Sequence, residues 1–340
     1  MTGTHILLVV TVLIALGFDF TNGFHDTANA VATTISTRAL GPRTAVGLAA
    51  VFNLLGALVA IEILHTHVAN TIGGLVAPKA GVSLGMIIAA LIGAIIWNLL
   101  TWRFGLPSSS SHALIGALVG MGVVAYGFDA VKWGSVLPVV IALVASPLIG
   151  FVLSYLFTVL TLNVFRRARP SPMNRRFRMA QIVSGSFVSF SHGANDAQKT
   201  MGVITLALVS AGVNSAGGKT FPSPPLWVVL VAATAIGLGT YSGGWRIIRT
   251  LGTKVIRLEP VDGFCAQTMA AVVIQGATQL ALPVSTTHVV SGSVIGAGAT
   301  RRLGAIRWGV ARNILVAWVL TIPATAAMAA ICALAVNALR

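Results

Sequence analysis

Two aspartates, Asp26 and Asp196, stand inside long apolar runs, where an ionised group costs about 2.5–3.5 kcal/mol at a helix centre. The first lies in Asn22-Gly23-Phe24-His25-Asp26-Thr27-Ala28-Asn29. The second lies 170 residues later, in Ser191-His192-Gly193-Ala194-Asn195-Asp196-Ala197-Gln198-Lys199. Carboxylate and amide oxygens suit a small hard cation. Polar groups that only stitch helices together account for a lone Asn or Ser, but poorly for a duplicated aspartate-centred cluster. Asp26, Asn29, Asp196 and Lys199 are therefore the candidates for proton or cation coupling. Lys199 occupies the position of Asn29 and would hold a fixed positive charge beside Asp196, in place of one bound cation. Gly23 and Gly193 are expected to let the helices break at 20–29 and 191–199, freeing backbone carbonyls as further ligands.

A second pair of motifs offers the opposite chemistry. Ser108, Ser109, Ser110 and Ser111 follow Pro107, and Ser285, Thr286 and Thr287 follow Pro283 at a spacing of 176 residues. Proline suits the first turn of a helix, where unpaired N–H groups and the positive end of the dipole gather. One such motif reads as ordinary N-capping. A matched pair points to two helix N-termini around a tetrahedral oxyanion, with Asn22 and Asn195 as further donors. His112 and His288 close these motifs and, with His25 and His192, are candidates for proton relay. Packed histidines are an equally good reading of the first two. Glu62 has no counterpart and is a weak coupling candidate; His65 and His67 receive no role.

The elements that must position these residues are transmembrane helices. Of 340 residues, 56% are hydrophobic and 9% charged, with mean hydropathy +0.90, against about 25% charged in soluble domains. Continuous apolar runs exclude a β-barrel, whose strands alternate. The net charge of +15 gathers in short loops, which favours membrane orientation over nucleic-acid binding. Cys265 and Cys332 lie in apolar runs and suggest neither a disulfide framework nor a metal site. No basic segment precedes the first apolar run, which reads as a retained span.

The spans expected are 5–39, 44–64, 83–103, 107–125 and 134–165 in a first repeat, 1–165. A basic linker, 166–178, contains six arginines. The spans 179–211, 226–244, 263–281, 283–299 and 310–336 then make a second repeat, 179–340. With the N-terminus outside and one crossing each, 17 basic residues fall on the cytoplasmic side. Only four fall outside: Lys79, Lys132, Lys219 and Arg340. This bias supports that orientation, although hairpins would satisfy the same parity. Gly116 and Gly120 match Gly292 and Gly296, Trp133-Gly134 matches Trp308-Gly309, and Pro147 matches Pro323. The expected fold is an all-α polytopic membrane protein of two inverted repeats, with broken helices or re-entrant hairpins at the midplane. That architecture points to a secondary transporter.

Asn22-Gly23-Phe24-His25-Asp26-Thr27-Ala28-Asn29-Ala30, Ser191-His192-Gly193-Ala194-Asn195-Asp196 and Pro283-Val284-Ser285-Thr286-Thr287-His288 resemble the signatures of the inorganic phosphate transporter (Pit) family over essentially the whole chain. The resemblance implies symport of phosphate, or of a neutral divalent metal–phosphate complex, with protons or sodium. No resident cofactor or metal is expected. The large central loop of some members is reduced here to the arginine-rich linker. Gln198-Lys199 is more similar to bacterial proton-coupled members, which favours the proton. The expected setting is the bacterial inner membrane, and the expected partners are inorganic phosphate and the lipid bilayer, with room for a homo-oligomer. A sulfate permease of the same fold is the alternative. A membrane phosphatase or phosphotransferase is more distant, since no nucleophile–base pair or phosphate loop is visible.

Overall fold

In a bilayer core each backbone N–H and C=O must be satisfied within the protein, and a helix satisfies its own. The computed structural model describes residues 3–76, 81–213, 221–301, 304 and 306–338, and it is helical wherever the sequence is apolar. The first repeat holds α1 (Gly3–Ser36), α2 (Pro42–Glu62), α3 (Val68–Gly73), α4 (Leu84–Phe104), α5 (Ser110–Tyr126) and α6 (Trp133–Val164). The second holds α7 (Pro170–Ser210), α8 (Leu226–Ser242), α9 (Trp245–Arg249), α10 (Pro260–Gln279), α11 (Thr286–Ala299) and α12 (Trp308–Ala338). Among the described residues, extended pairing is confined to an isolated bridge between Val76 and Val131. The fold is all-α and polytopic, as expected.

The details depart from the sequence reading in three places. First, α1 and α7 are unbroken, so the expected breaks at 20–29 and 191–199 do not form. Their polar side chains find partners across helix interfaces, and the backbone has no need to open. Gly23 and Gly193 serve close approach instead. A Cβ on Gly23 would collide with the Ile236 carbonyl of α8, and one on Gly193 with the Asn53 carbonyl of α2. The contacts are reciprocal, since Gly239 and Gly56 meet the carbonyls of Phe20 and Phe190.

Second, not every element is long enough to cross. Helices α1, α2, α4, α6 and α12 are long and apolar enough, and α8 with the segment Trp245–Lys254 forms a candidate span bent by 57°. At 17 and 14 residues, α5 and α11 fall short of the roughly 20 required. They pair with α4 and α10 as helical hairpins, and the hairpin tips meet where the Ser111 hydroxyl donates to the Val284 carbonyl at 2.8 Å. Each repeat leaves its first hairpin helix through a left-handed residue, Gly105 (φ 65°) in the first and Ala281 (φ 57°) in the second. Third, Pro170 begins α7, so the second part of the basic linker is helical and the loop shortens to 165–169. Of the basic residues used to judge orientation, Lys79, Lys219, Arg302 and Arg340 lie outside the described residues.

The repeats interlock in matched pairs. Helix α5 packs on α12 as α11 packs on α6, and α1 packs on α8 as α7 packs on α2. Gly116 and Gly120 of α5 admit the backbone of α12, while Gly292 and Gly296 of α11 admit that of α6, the small-residue approach that membrane helices use. Two apolar clusters flank the centre. Helix α1 runs from the first cluster (Leu8, Ala15, Phe18) to the second (Ala28, Val31), whereas α7 runs from the second (Val188) to the first (Met201, Ile204, Leu208). Equivalent helices thus run in opposite directions, which is the inverted relation expected. The polar stretches of both lie between the clusters.

Candidate functional site

At that middle level α1, α7 and the two hairpin tips bring their polar residues together in a buried cluster. Asp26, Asn22, Asp196, Asn195 and Lys199 are each at most 2% exposed. The Asn22 amide donates to Asp196 Oδ2 at 3.3 Å, joining the two halves. Two carboxylates from sites 170 residues apart in sequence therefore share one interior.

The hairpin tips deliver hydroxyls to Asp26. Ser110 and Thr286, each the first residue of its helix, donate to Asp26 Oδ2 at 3.3 Å, and Thr287 donates to Oδ1 at 3.2 Å. Asn29 fixes Thr287 by donating to its hydroxyl at 2.9 Å. Ser109 and Ser285 are occupied otherwise: they cap their own helices, accepting from the N–H of His112 and His288. Ser108 donates to Thr101 at 2.8 Å, within 3.4 Å of His25 Nε2. Ser111 turns to the other carboxylate's partner, Lys199.

Lys199 is fully buried, and its ammonium lies 2.6 Å from Asp196 Oδ1, 2.5 Å from the Ser111 hydroxyl and 3.1 Å from the Val284 carbonyl. It ties α7 to both hairpin tips. His25 Nδ1 lies 2.7 Å from Asp26 Oδ1. His192 Nε2 sits between the two aspartates, 3.7 Å from Asp26 and 3.5 Å from Asp196, while its Nδ1 lies 2.8 Å from Asn53 Oδ1. Equivalent residues are anchored alike: Thr101 of α4 approaches His25 at 3.3 Å, and Thr278 of α10 accepts from Asn195 at 2.8 Å.

Asp26, His192 and Asp196 each offer one ligand atom within 4.8 Å of the others. The side-chain oxygens of Asn22, Asn29 and Asn195 are buried without hydrogen-bond partners. Uncommitted amide oxygens beside two carboxylates are a donor set for a hard cation.

His112 and His288 do not join this centre by any polar contact with the aspartates. Their rings lie 4.3 Å apart, and His288 stacks on Trp318 at 3.8 Å. Both border an apolar cavity of about 530 Å³ lined by Leu143, Phe151 and Trp318. Successive helical positions are turned by about a quarter of a revolution, so Ser110 and Thr286 face the aspartates while the histidines two residues later face elsewhere. Glu62 is exposed at the end of α2. The sequence reading missed Asn53, Thr101 and Thr278. Asn53 was visible as a lone amide in an apolar run, but the threonines were not, because Thr in a membrane helix commonly bonds to its own backbone.

The interlocked repeats, the spans and the buried polar centre between them define a multi-pass membrane transport protein. The sequence model of the phosphate transporter family matches residues 22–176 and 163–329, and the chain belongs to that family. It is 48% identical over 326 residues to a protein of Rhizobium meliloti (strain 1021), covering 96% of this chain and 95% of the relative. It is 45% identical over 329 residues to one of Bacillus subtilis (strain 168), covering 96% and 97%. Both are named "probable low-affinity inorganic phosphate transporter". A solved structure described as "The sodium-dependent phosphate transporter" is similar with a TM-score of 0.86 and 27% identity, covering 98% of this chain and 100% of that one. Family and relatives are named as transporters, not enzymes, which sets aside the phosphatase alternative.

Proposed function

We propose that the chain is a secondary active symporter that imports inorganic phosphate across the bacterial inner membrane, driven by a proton or sodium gradient, with the proton favoured. The observation that carries this is the convergence of two helix N-termini, one from each repeat, on a single carboxylate: Ser110, Thr286 and Thr287 all donate to Asp26. Hydroxyls backed by the free N–H groups of a first helical turn are donors for an oxyanion. A phosphate oxygen held by the same hydroxyls would leave Asp26 free to accept the O–H of hydrogen phosphate. Sulfate carries no such proton, so the same carboxylate opposes it; the names of the relatives favour phosphate as well.

Charge balance supports symport. The buried centre carries Asp26, Asp196 and Lys199, and a further anion there needs a cation with it. Asp26, His192 and Asp196, with the amide oxygens of Asn22, Asn29 and Asn195, are suited to sodium or to the divalent cation of a metal–phosphate complex. On the second repeat Lys199 already supplies a positive charge, which favours the proton. The two repeats are 1–165 and 179–340, joined by the segment 166–178 on the cytoplasmic side with the N-terminus outside. The exposed Arg38, Arg178, Arg257, Arg301 and Arg307 wall one polar cavity of about 800 Å³, in keeping with that side being cytoplasmic.

Uptake of labelled phosphate and sulfate into proteoliposomes, with proton and sodium gradients imposed separately, tests the proposal. Phosphate accumulation on a proton gradient is expected. Accumulation of neither anion under any gradient refutes symport, and accumulation on sodium alone reverses the coupling.

A further inference from the structure

One buried acid has no part in the centre described above. Asp19 of α1 is fully buried, and neither of its carboxyl oxygens has a hydrogen-bond partner. The Thr200 hydroxyl of α7 lies beside it and bears on it as a donor, though outside hydrogen-bonding geometry. The placement follows from the antiparallel packing of the two helices. Asn22 and Asp196 are bonded, so Asp19, one turn before Asn22, comes opposite Thr200, one turn after Asp196. With the N-terminus outside, this pair lies one turn to the outer side of the Asn22–Asp196 bond.

The position is not duplicated. Its counterpart 170 residues later is Ser189, whose hydroxyl donates to the Gly185 carbonyl at 2.8 Å. The asymmetry falls on the same side as Lys199. Asp196 and Lys199 are the charged groups that bear on Asp19. Helices α2, α4 and α8, also packed on α1, carry Arg43 and Glu62, Arg103 and Tyr241 only at their ends. Gly244 and Gly252, before and after α9, meet α1 at Phe24 and Ala32, and α10 and α11 meet it at Ala30, Asp26 and Asn29, all beyond this point. Those segments carry the titratable Arg246, Arg249, Lys254, Asp262 and His288.

We infer that Asp19 is the carboxyl that takes up and gives up the transported proton. This rests on the proton coupling proposed above. An ionised carboxylate with no partner is strongly disfavoured in a dry interior, so the conformation seen accommodates the neutral acid. A proton from the outer solution forms the O–H bond on Asp19. When the inner side opens, that bond breaks and the proton passes to cytoplasmic water. The carboxylate left behind lies within the field of the Lys199 ammonium, which then bears on two acids. Protonation of Asp19 thereby sets how tightly Lys199 holds Asp196 and, through Ser111 and Val284, the two hairpin tips.

Asp19→Asn keeps the shape of the neutral acid and cannot release a proton. In proteoliposomes, a pH gradient of one unit supports about tenfold accumulation of phosphate per coupled proton in the wild type, because one unit is about 1.36 kcal/mol. Asp19→Asn is expected to show no accumulation on that gradient. It should still exchange labelled for unlabelled phosphate at equal pH, with exchange no longer dependent on pH. Asp19→Glu is expected to restore accumulation. If Asp19→Asn still accumulates phosphate on the pH gradient, Asp19 is not the carrier, although the symport reading stands. Loss of exchange along with accumulation also overturns the inference, since a proton carrier is dispensable for exchange. A wild type that accumulates phosphate on sodium alone removes the reading on which the inference rests.

Discussion

Lys199→Asn gives the second repeat the residue that the first carries at position 29, and its consequences can be worked from the contacts. The lysine ammonium holds Asp196 at 2.6 Å, the Ser111 hydroxyl at 2.5 Å and the Val284 carbonyl at 3.1 Å, with no solvent access. Asparagine is too short to reach either hairpin tip and leaves Asp196 as an uncompensated buried charge. Breaking a buried pair in this way costs about 3–5 kcal/mol, so the purified variant should melt well below the wild type in sodium-free buffer. If the lysine stands where a cation would otherwise bind, sodium should refill the place. A ligand at a hundred times its Kd returns about 2.7 kcal/mol to the folded state, so much of the loss should be recovered. The assay compares melting temperatures in sodium and potassium buffers of equal ionic strength, followed by phosphate uptake with and without a sodium gradient. The wild type should melt alike in both buffers, while the variant should melt higher in sodium and acquire sodium-dependent uptake. Equal melting of the variant in both buffers, with no change in its cation requirement, would show that Lys199 only neutralises Asp196.

Three further outcomes follow from the packing. Ser110→Ala and Thr286→Val each remove one hydroxyl worth about 1 kcal/mol, and the KM for phosphate should rise severalfold in each while the melting temperature changes little. Gly193→Ala drives a Cβ into the Asn53 carbonyl; overpacking of this kind costs about 1–3 kcal/mol, which thermal unfolding should register together with weaker transport. His288→Phe keeps the stacking on Trp318, so uptake and its pH dependence should stay close to the wild type; loss of uptake would return His288 to the proton path.

The chemistry was legible in the sequence because a membrane makes polar residues conspicuous. Asp26 and Asp196 could be singled out, and paired with one another, since each interrupts an apolar run at a matched position. The apolar helices were legible for the same reason, and most begin and end within a few residues of the hydropathy boundaries; α7 starts nine residues early at Pro170, and the short α3 and α9 carry no hydropathy signal of their own. The glycines were misread. Gly23 and Gly193 next to polar residues suggest a broken helix, yet the alternative use of a missing Cβ, close approach of a second backbone, depends on which helix lies opposite. No pattern along one chain shows that Asn53 will be there.

From composition and repetition alone come the class, the two inverted halves and the names of nearly all the polar residues at the centre. Those follow from solvation energy, which is local and falls on each residue separately. Tertiary structure alone decided the partnerships: that Ser110 and Thr286 meet on one oxygen of Asp26, that Lys199 reaches both hairpin tips, that His112 and His288 face each other, and that Asp19 is left without a partner. Each of these depends on the rotation and depth of one helix against another, which is set by where carbonyls and glycines of distant segments come into contact. A sequence records which groups must be buried, whereas packing decides which of them are buried together.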